Sequence, residues 1–265
     1  MGYRYIVIAS AATLSCRENQ LIILNEKNNK VPLEDISAIV LENQQSRISL
    51  AALDQLVSNN VTVYLCDKQH VPSAVVIPFY QNSTNAVVIE KQEQLSVPQT
   101  KQIWKQIVVS KIQNQGRCLK ERGDEEGNHY LTELAKTVAS GDIHNVEAIA
   151  ARYYFRRAFG EKFTRTGDDG RNSGLNYGYA IMRGLIARLL TGYGFLVIKG
   201  IHHSNKYNSF NLADDFMEPL RPVVDLYVLN HMSGDDSLTP ELKHALVNLL
   251  GVDVLSGGQI HSLNY

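Results

Sequence analysis

Cysteine is scarce in this sequence. Cys16, Cys66 and Cys118 are three in 265 residues, widely spaced and without a CxxC pair. That excludes a disulfide framework and a zinc ribbon and fits a reducing compartment, so all three read as packing residues. Long apolar runs are missing as well: no segment approaches the roughly 18 residues that a spanning helix needs. The start, MGYRYIVIAS, lacks a basic region followed by a full apolar stretch. The expectation is a soluble protein with no targeting signal. Neither sign of charge dominates, since 26 Lys+Arg face 27 Asp+Glu for a formal net charge of −1. Any nucleic-acid surface must therefore be local. No Gly-rich phosphate loop, GxSxG elbow or Cys-His dyad is present; TGYGF around Gly192 to Gly194 reads as a helix end. NST at Asn82 to Thr84 reads as a loop.

The first 80 or so residues are β-rich. YRYIVIA, LIILN, SAIVLE, VTVYLCD and AVVIPF are short β-branched or aromatic runs, separated by the polar clusters NEKNNK, NQQS and SNN. One amphipathic helix, SLAALDQLVSN, interrupts them with Ser49 as its N-cap. From about Ser96 the apolar period becomes helical in IWKQIVVSKIQNQ, YLTELAKTVAS, NVEAIAARYYFRRAF, LNYGYAIMRGLIARLL and PELKHALVNLLG, while ERGDEEGNHY reads as an exposed loop. The expected class is α+β: a β-rich domain over 1–85, a linker over 86–98 and a larger all-α domain over 99–265. Between Val146 and Gly200 nine basic residues face four acidic ones. A phosphate-binding face needs such an excess; a solvated surface laced with ion pairs would show it too.

The densest chemistry lies in HHSNKYNSFNLADDFMEPLRPVVD, His202 to Asp225. Asn211 is an N-cap candidate and Asp214 suits the positive end of a helix dipole. Asp215 and Glu218, three apart, share a helix face. Pro219 should bend or end that helix near Glu218, and Pro222 should open the next one. Upstream, Glu147 is the only acidic residue in a largely apolar helix, a costly placement unless it is paired with an arginine such as Arg152 or Arg156, protonated, or bound to a cation. Glu147, Asp215, Glu218 and a nearby histidine would form an oxygen-rich site suited to Mg²⁺ or Mn²⁺. Carboxylates at helix spacing are also common on solvated faces, and adjacent histidines on surfaces.

NVEAIAARYYF, then FTRTGDDGRNSGLNYGYAIMRGLIAR, then GIHHSNKYNSFNLADDFMEPLRPVVD closely resembles the CRISPR adaptation integrase family, the larger subunit of the spacer-inserting complex in its type II form. The likeness spans about 145–230. By this resemblance a divalent ion is held by Glu147, His203 and Glu218; His203 is preferred to His202 because the family's histidine stands two residues before an asparagine, here Asn205. Asp215, His202, Asn176 and Arg152 are implied in support. Arg156, Arg157, Arg165, Arg171 and Arg183 are candidate DNA contacts. The family commonly has Gly after its metal-binding Glu, where this chain has Ala148. The chain also stops at Tyr265, which suggests that a tail holding the partner subunit is absent.

The implied reaction is transesterification: the 3′-hydroxyl of a short DNA fragment attacks a phosphodiester at the edge of a CRISPR repeat. Implied partners are DNA, a second copy of the chain through the β-rich domain, a small CRISPR-associated subunit, the type II effector nuclease and an accessory adaptation protein, in a prokaryotic cytoplasm and away from membranes. Two other readings compete. A stand-alone metal phosphohydrolase would act on nucleotides with no gain from duplex DNA. A non-catalytic DNA-binding scaffold would bind DNA whether or not Glu147 and Glu218 are intact.

Overall fold

The computed structural model describes residues 3–25, 28–68, 70–78, 85–256 and 259–262, so the Asn82–Thr84 segment and part of the AVVIPF run lie outside the described residues. The chain is α+β and divides into two compact units, one of Met1–Gln81, Asn176–Gly192 and Thr239–Tyr265, the other of Asn82–Leu175 and Tyr193–Leu238. Among the described residues no helix is long and apolar enough to cross a membrane.

In the first unit, β1 (Arg4–Ile8), β5 (Ile36–Leu41), β7 (Thr62–Cys66) and β8 (Pro72–Val76) form a sheet in the order β1-β5-β7-β8. The first two pairings are parallel and the last antiparallel. The first five residues of β5 are buried, as an apolar run inside a parallel sheet should be. A second sheet, β4-β3-β2-β6, joins Asn28–Pro32, Gln20–Leu24, Thr13–Arg17 and Arg47–Ile48. Leu14, Leu21, Ile39 and Val63 from the two sheets share one core with Leu56 of α1 (Leu50–Ser58). Ser49 caps α1 as its sequence indicates, its side chain accepting from Ala52 N at 3.1 Å.

Two further helical stretches among the described residues belong to this unit. The long helix α6 (Gly170–Gly192) contributes 176–192, and α9 (Pro240–Asn248) adds Lys243, whose ammonium pairs with buried Glu42 after β5. Tyr64 donates to Ile181 O at 2.8 Å, and a Cβ on Gly184 would lie 2.1 Å from the Tyr64 ring, so α6 approaches β7 as closely as glycine permits. A terminal hairpin, β9 (Asp253–Ser256) with β10 (Gln259–Ser262), follows. The 99–265 stretch read as one helical domain is thus shared between two units in the structure. Helical period reports which face is apolar but not which unit that face covers.

The second unit is helical: α2 (Asn85–Glu93), α3 (Val97–Glu121), α4 (Glu125–Lys136), α5 (Val146–Phe159), the first turns of α6, α7 (Asn211–Met217) and α8 (Arg221–His231). The span read as a linker, 86–98, carries most of α2. Its buried Gln92 accepts from Leu196 N at 2.9 Å and donates to Leu196 O and Lys199 O. Helix α3 starts on a Ser96–Gln99 capping box with Pro98 in its first turn. ERGDEEGNHY is mostly helix, not an exposed loop. Asp124 caps α4 by accepting from Gly127 N at 2.9 Å, so only Arg122 to Asp124 separate α3 from α4.

Candidate active site

Helix α3 lines the site with one face, since Trp104, Val108, Lys111 and Gln115 recur at helical spacing and are all buried. A buried ammonium is costly unless paired. Lys111 Nζ meets Glu147 Oε1 and lies 2.5 Å from Glu218 Oε2. Burial would lower the Lys111 pKa, but the Glu218 and Glu147 carboxylates outweigh it and hold it above the ordinary value. Burial likewise works to raise Glu218, and Arg221 with Lys111 overcomes it, leaving that carboxyl below the usual range.

Glu147 is placed by the start of α5. Asp142, in the 3-10 turn Ser140–Asp142, accepts from Val146 N at 2.8 Å and Glu147 N at 3.0 Å, satisfying two free amides of the first turn. Glu218 is placed by the bend that Pro219 predicts: α7 stops at Met217, the 3-10 turn Glu218–Leu220 follows, and α8 opens with Pro222 in its first turn. Asn114 of α3 donates to Pro219 O at 2.7 Å, and Arg221 Nε donates to Glu218 Oε1 at 2.9 Å. The bend is therefore tied to α3 through Lys111 and Asn114 and braced from α8 by Arg221. Only 8% of the Glu218 side chain is exposed.

Asp215 turns elsewhere. Fully buried, it accepts from the backbone N–H groups of Ile201, His202 and His203 at 2.5, 3.1 and 3.2 Å, and its Oδ1 lies 2.6 Å from His203 Nδ1. The loop can wrap this closely because residue 200 is glycine; a Cβ there would sit 2.3 Å from His203 O. The bond to Asp215 raises the His203 pKa, and burial opposes it. Because a carboxylate only accepts, the shared proton belongs on Nδ1, which leaves the Nε2 lone pair as the one a cation could take. His202 stacks on Trp104 with ring centroids 4.0 Å apart, and His203 meets the same indole edge-on at 6.0 Å.

The structure brings Glu147 and Glu218 to one ammonium and His203 to Asp215. It corrects three readings. Asn211 is the first residue of α7 and not its cap; its amide donates to Ile198 O and Asn205 O, pinning the preceding loop. The partner of Glu147 is Lys111 rather than an arginine, because Arg156 pairs with Glu161 at 2.6 Å. Asp215 and Glu218, though one turn apart, serve different partners.

Of the candidate DNA contacts, Arg157 grips Asp124 with two hydrogen bonds of 2.8 and 2.5 Å. Arg171 grips Asp169 and covers the Phe159 and Phe163 rings. Arg165 donates to Asn172 at 2.5 Å. Arg152 is exposed on α5, while Arg183 and Asn176 lie on the α6 stretch of the first unit. Trp104, Lys111 and Asn114 were missed. A lysine at a core position of an apolar helix face was the signal.

Among the described residues no three His, Cys, Asp or Glu side chains are gathered into a set that could hold a metal ion. Two features still suit a hard divalent cation. Both carboxylates converge on one positive charge, and the Glu218 oxygen that faces it, Oε2, is buried and carries a full share of the negative charge a hard cation needs.

Residues 5–237 match the family described as CRISPR associated protein Cas1. The CRISPR-associated endonuclease Cas1 of Neisseria meningitidis serogroup C (strain 8013) is 40% identical over 254 residues, covering 94% of this chain and 84% of that protein. CRISPR-associated endonuclease Cas1 2 of Pyrobaculum aerophilum is 27% identical over 240 residues, covering 84% of this chain and 81% of that protein. Three solved structures share the fold. A casposase bound to integration product has a TM-score of 0.77 at 18% identity, covering 100% of this chain and 87% of that one. A CAS1 protein from Thermotoga maritima has 0.70 at 18%, with 86% and 78% covered. A chain of a Cas6-RT-Cas1–Cas2 complex has 0.72 at 24%; it covers 98% of this chain, which spans 33% of that one. Because the family match runs through both units and takes in the positions of Glu147, His203 and Glu218, the chain belongs to the CRISPR associated protein Cas1 family.

Proposed function

We propose that the protein is a metal-dependent DNA integrase and endonuclease of CRISPR adaptation, joining short DNA fragments to CRISPR repeats. The observation that carries this reading is the convergence of Glu147 and Glu218 on one buried cation position, with His203 close enough to feel the Glu218 charge. The 40% identity to a CRISPR-associated endonuclease supports it.

Mg²⁺ or Mn²⁺ on Glu147, Glu218 and His203 would stabilise negative charge on the phosphoryl oxygens. The chain's own residues do the positioning. Asp215 keeps the His203 proton on Nδ1 and so presents the Nε2 lone pair for a metal. The Glu218–Leu220 turn, tied to α3 by Asn114, sets one carboxylate; the Asp142 cap sets the other. In the reaction the fragment's 3′-oxygen bonds to the phosphorus at the 5′ end of a repeat strand as the bridging 3′-oxygen of the flanking nucleotide leaves with its electron pair. The proton lost by the attacking hydroxyl balances the one taken up by the leaving oxygen. One phosphodiester replaces another, so neither a nucleoside triphosphate nor a protein nucleophile is needed. Water in place of the hydroxyl makes the same site an endonuclease.

The helical unit is the proposed catalytic unit and the β-rich unit the dimerisation unit, because a two-fold contact supplies the two active sites that insertion on both strands requires. DNA and a small CRISPR-associated subunit complete the complex, with the type II effector nuclease and an accessory adaptation protein as further partners. The test is strand transfer of a labelled short duplex into a repeat-containing plasmid with the small subunit, under Mn²⁺, Mg²⁺ or chelator. Metal-dependent joining that is lost in Glu218→Ala is expected. DNA binding without joining or cleavage under every metal would instead establish a scaffold, and hydrolysis of free nucleotides without gain from duplex DNA a phosphohydrolase.

A further inference from the structure

We propose that Lys111 is a competing cation built into the site: its ammonium holds the position between Glu147 and Glu218 that a divalent ion takes, so metal binds by displacing it. The inference rests on the metal-site reading above and adds what that reading leaves out, a residue from a helix outside the sequence constellation.

Three observations carry it. First, Lys111 meets both carboxylates at once, and only 10% of its side chain is exposed. Two carboxylates brought together without a cation repel each other or take up a proton, so the metal-free fold needs a positive charge between them. Second, that charge comes from a fixed support. Lys111 sits mid-way along the 25-residue α3, one turn before Asn114, which bonds the carbonyl next to Glu218. Third, ammonium and metal exclude each other. A magnesium-sized ion needs oxygen lone pairs at about 2.0–2.1 Å, and two positive charges cannot share the same two oxygens at that range. Glu218 Oε2, buried and 2.5 Å from the Lys111 ammonium, is one of the two oxygens the incoming ion must take over.

The same bridge accounts for the absence of a preformed three-ligand set among the described residues: the carboxylates are drawn to α3, and His203 is held by Asp215. A wholly structural lysine would behave differently. Removing it would loosen the carboxylates and weaken metal binding, whereas removing a competitor tightens it.

The test is Mn²⁺ binding, followed by electron paramagnetic resonance at one pH and ionic strength, on the full chain and on Lys111→Met, Lys111→Arg and Glu218→Gln. Lys111→Met should bind Mn²⁺ about tenfold or more tightly than the unsubstituted chain, a factor that corresponds to about 1.4 kcal/mol. Lys111→Arg, which keeps the charge, should stay near the unsubstituted value, and Glu218→Gln should bind weakly. Melting temperatures give a second readout. In chelator Lys111→Met should melt lower than the unsubstituted chain, and Mn²⁺ should raise it by more. If Lys111→Met does not fold even with Mn²⁺, Lys111→Gln, which fills the space with a neutral group, is judged by the same criterion. Equal or weaker Mn²⁺ binding by the neutral variants, with binding still lost in Glu218→Gln, overturns the competitor role while leaving the metal site standing. Mn²⁺ binding untouched by Glu218→Gln removes the site itself and the inference with it.

Discussion

Asp215 Oδ1 and His203 Nδ1 stand 2.6 Å apart, and the carboxylate that makes this contact is the one that folds the loop carrying the histidine. One buried side chain thus sets both the path of residues 201–203 and the proton position on the ring. Asp215→Asn preserves shape but turns an amide N–H₂ towards backbone donors or the ring. The expected result is metal affinity lowered by about 10- to 100-fold, the range typical for lost partners of metal-binding histidines. Mn²⁺ titration beside a circular dichroism melt checks it. Unchanged affinity in a folded protein would show that the loop needs no charge to hold the imidazole.

Trp104 supports the same two histidines from α3, stacking on His202 and meeting His203 edge-on, with 4% of its surface exposed. Trp104→Ala should cost about 3–5 kcal/mol in urea unfolding, as large aromatic truncations in cores do. Trp104→Phe should recover part of that stability, and recover strand transfer in the same proportion if the indole acts by positioning the rings. Transfer that stays lost in a stable Trp104→Phe protein would give the indole a more specific part.

The contrast between Lys111 and the constellation around Glu218 shows what the sequence made legible. Two local signals held, since Ser49 caps its helix and Pro219 ends α7 with Glu218 at the bend, whereas the Asn211 cap and the ERGDEEGNHY loop did not. Pairing was not legible, because it depends on which distant helix arrives. Lys111, Asn114 and Trp104 lie about 100 residues before Glu218, Pro219 and His202, and Lys111 lies 36 before Glu147; even so, the IWKQIVVSKIQNQ pattern placed a lysine among apolar neighbours, where it must find a carboxylate. The β-rich start was legible for the same local reason, through short β-branched runs. That α9 and the later turns of α6 belong with those strands was not, since it is decided by contacts such as Tyr64 with Ile181 and Glu42 with Lys243. A count of basic residues likewise weighed Arg157 and Arg171 as DNA contacts, although each grips an aspartate.

Asp124 links acid stability to one of those pairs. Its two hydrogen bonds from Arg157, with the cap to Gly127 N, hold its carboxyl below the usual range. A carboxyl depressed on folding contributes stability that is fully present above its unfolded value, near 3.9, and disappears as pH falls through the lower folded value. Asp124→Asn should therefore melt below the unsubstituted protein by a constant interval above about pH 5, with the interval shrinking on further acidification. An interval that persists at the lowest pH where both fold would assign the loss to shape and not to charge.

On the exposed face of α5 and α4, arginines committed to carboxylates stand beside others with little or nothing to hold them. A cleft of about 390 Å³ is lined by Tyr130, Ile149, Arg152, Tyr153, Arg156, Arg157 and Glu161. No hydrogen bond or ion pair holds Arg152 among the described residues. Arg156 has only an exposed pair with Glu161, which is worth little and exchanges readily for a phosphate. Arg157 is committed to Asp124 through one edge of its guanidinium, Nε and Nη2. Arg152→Ala should weaken DNA binding across sequences and reduce the slope of log affinity against log salt by about 1, without moving the melting temperature. Arg157→Ala should do the reverse, lowering the melting temperature and leaving the slope nearly intact. If Arg157→Ala flattens the slope as much as Arg152→Ala and melts normally, the Asp124 pair opens on DNA and its guanidinium belongs to the binding face.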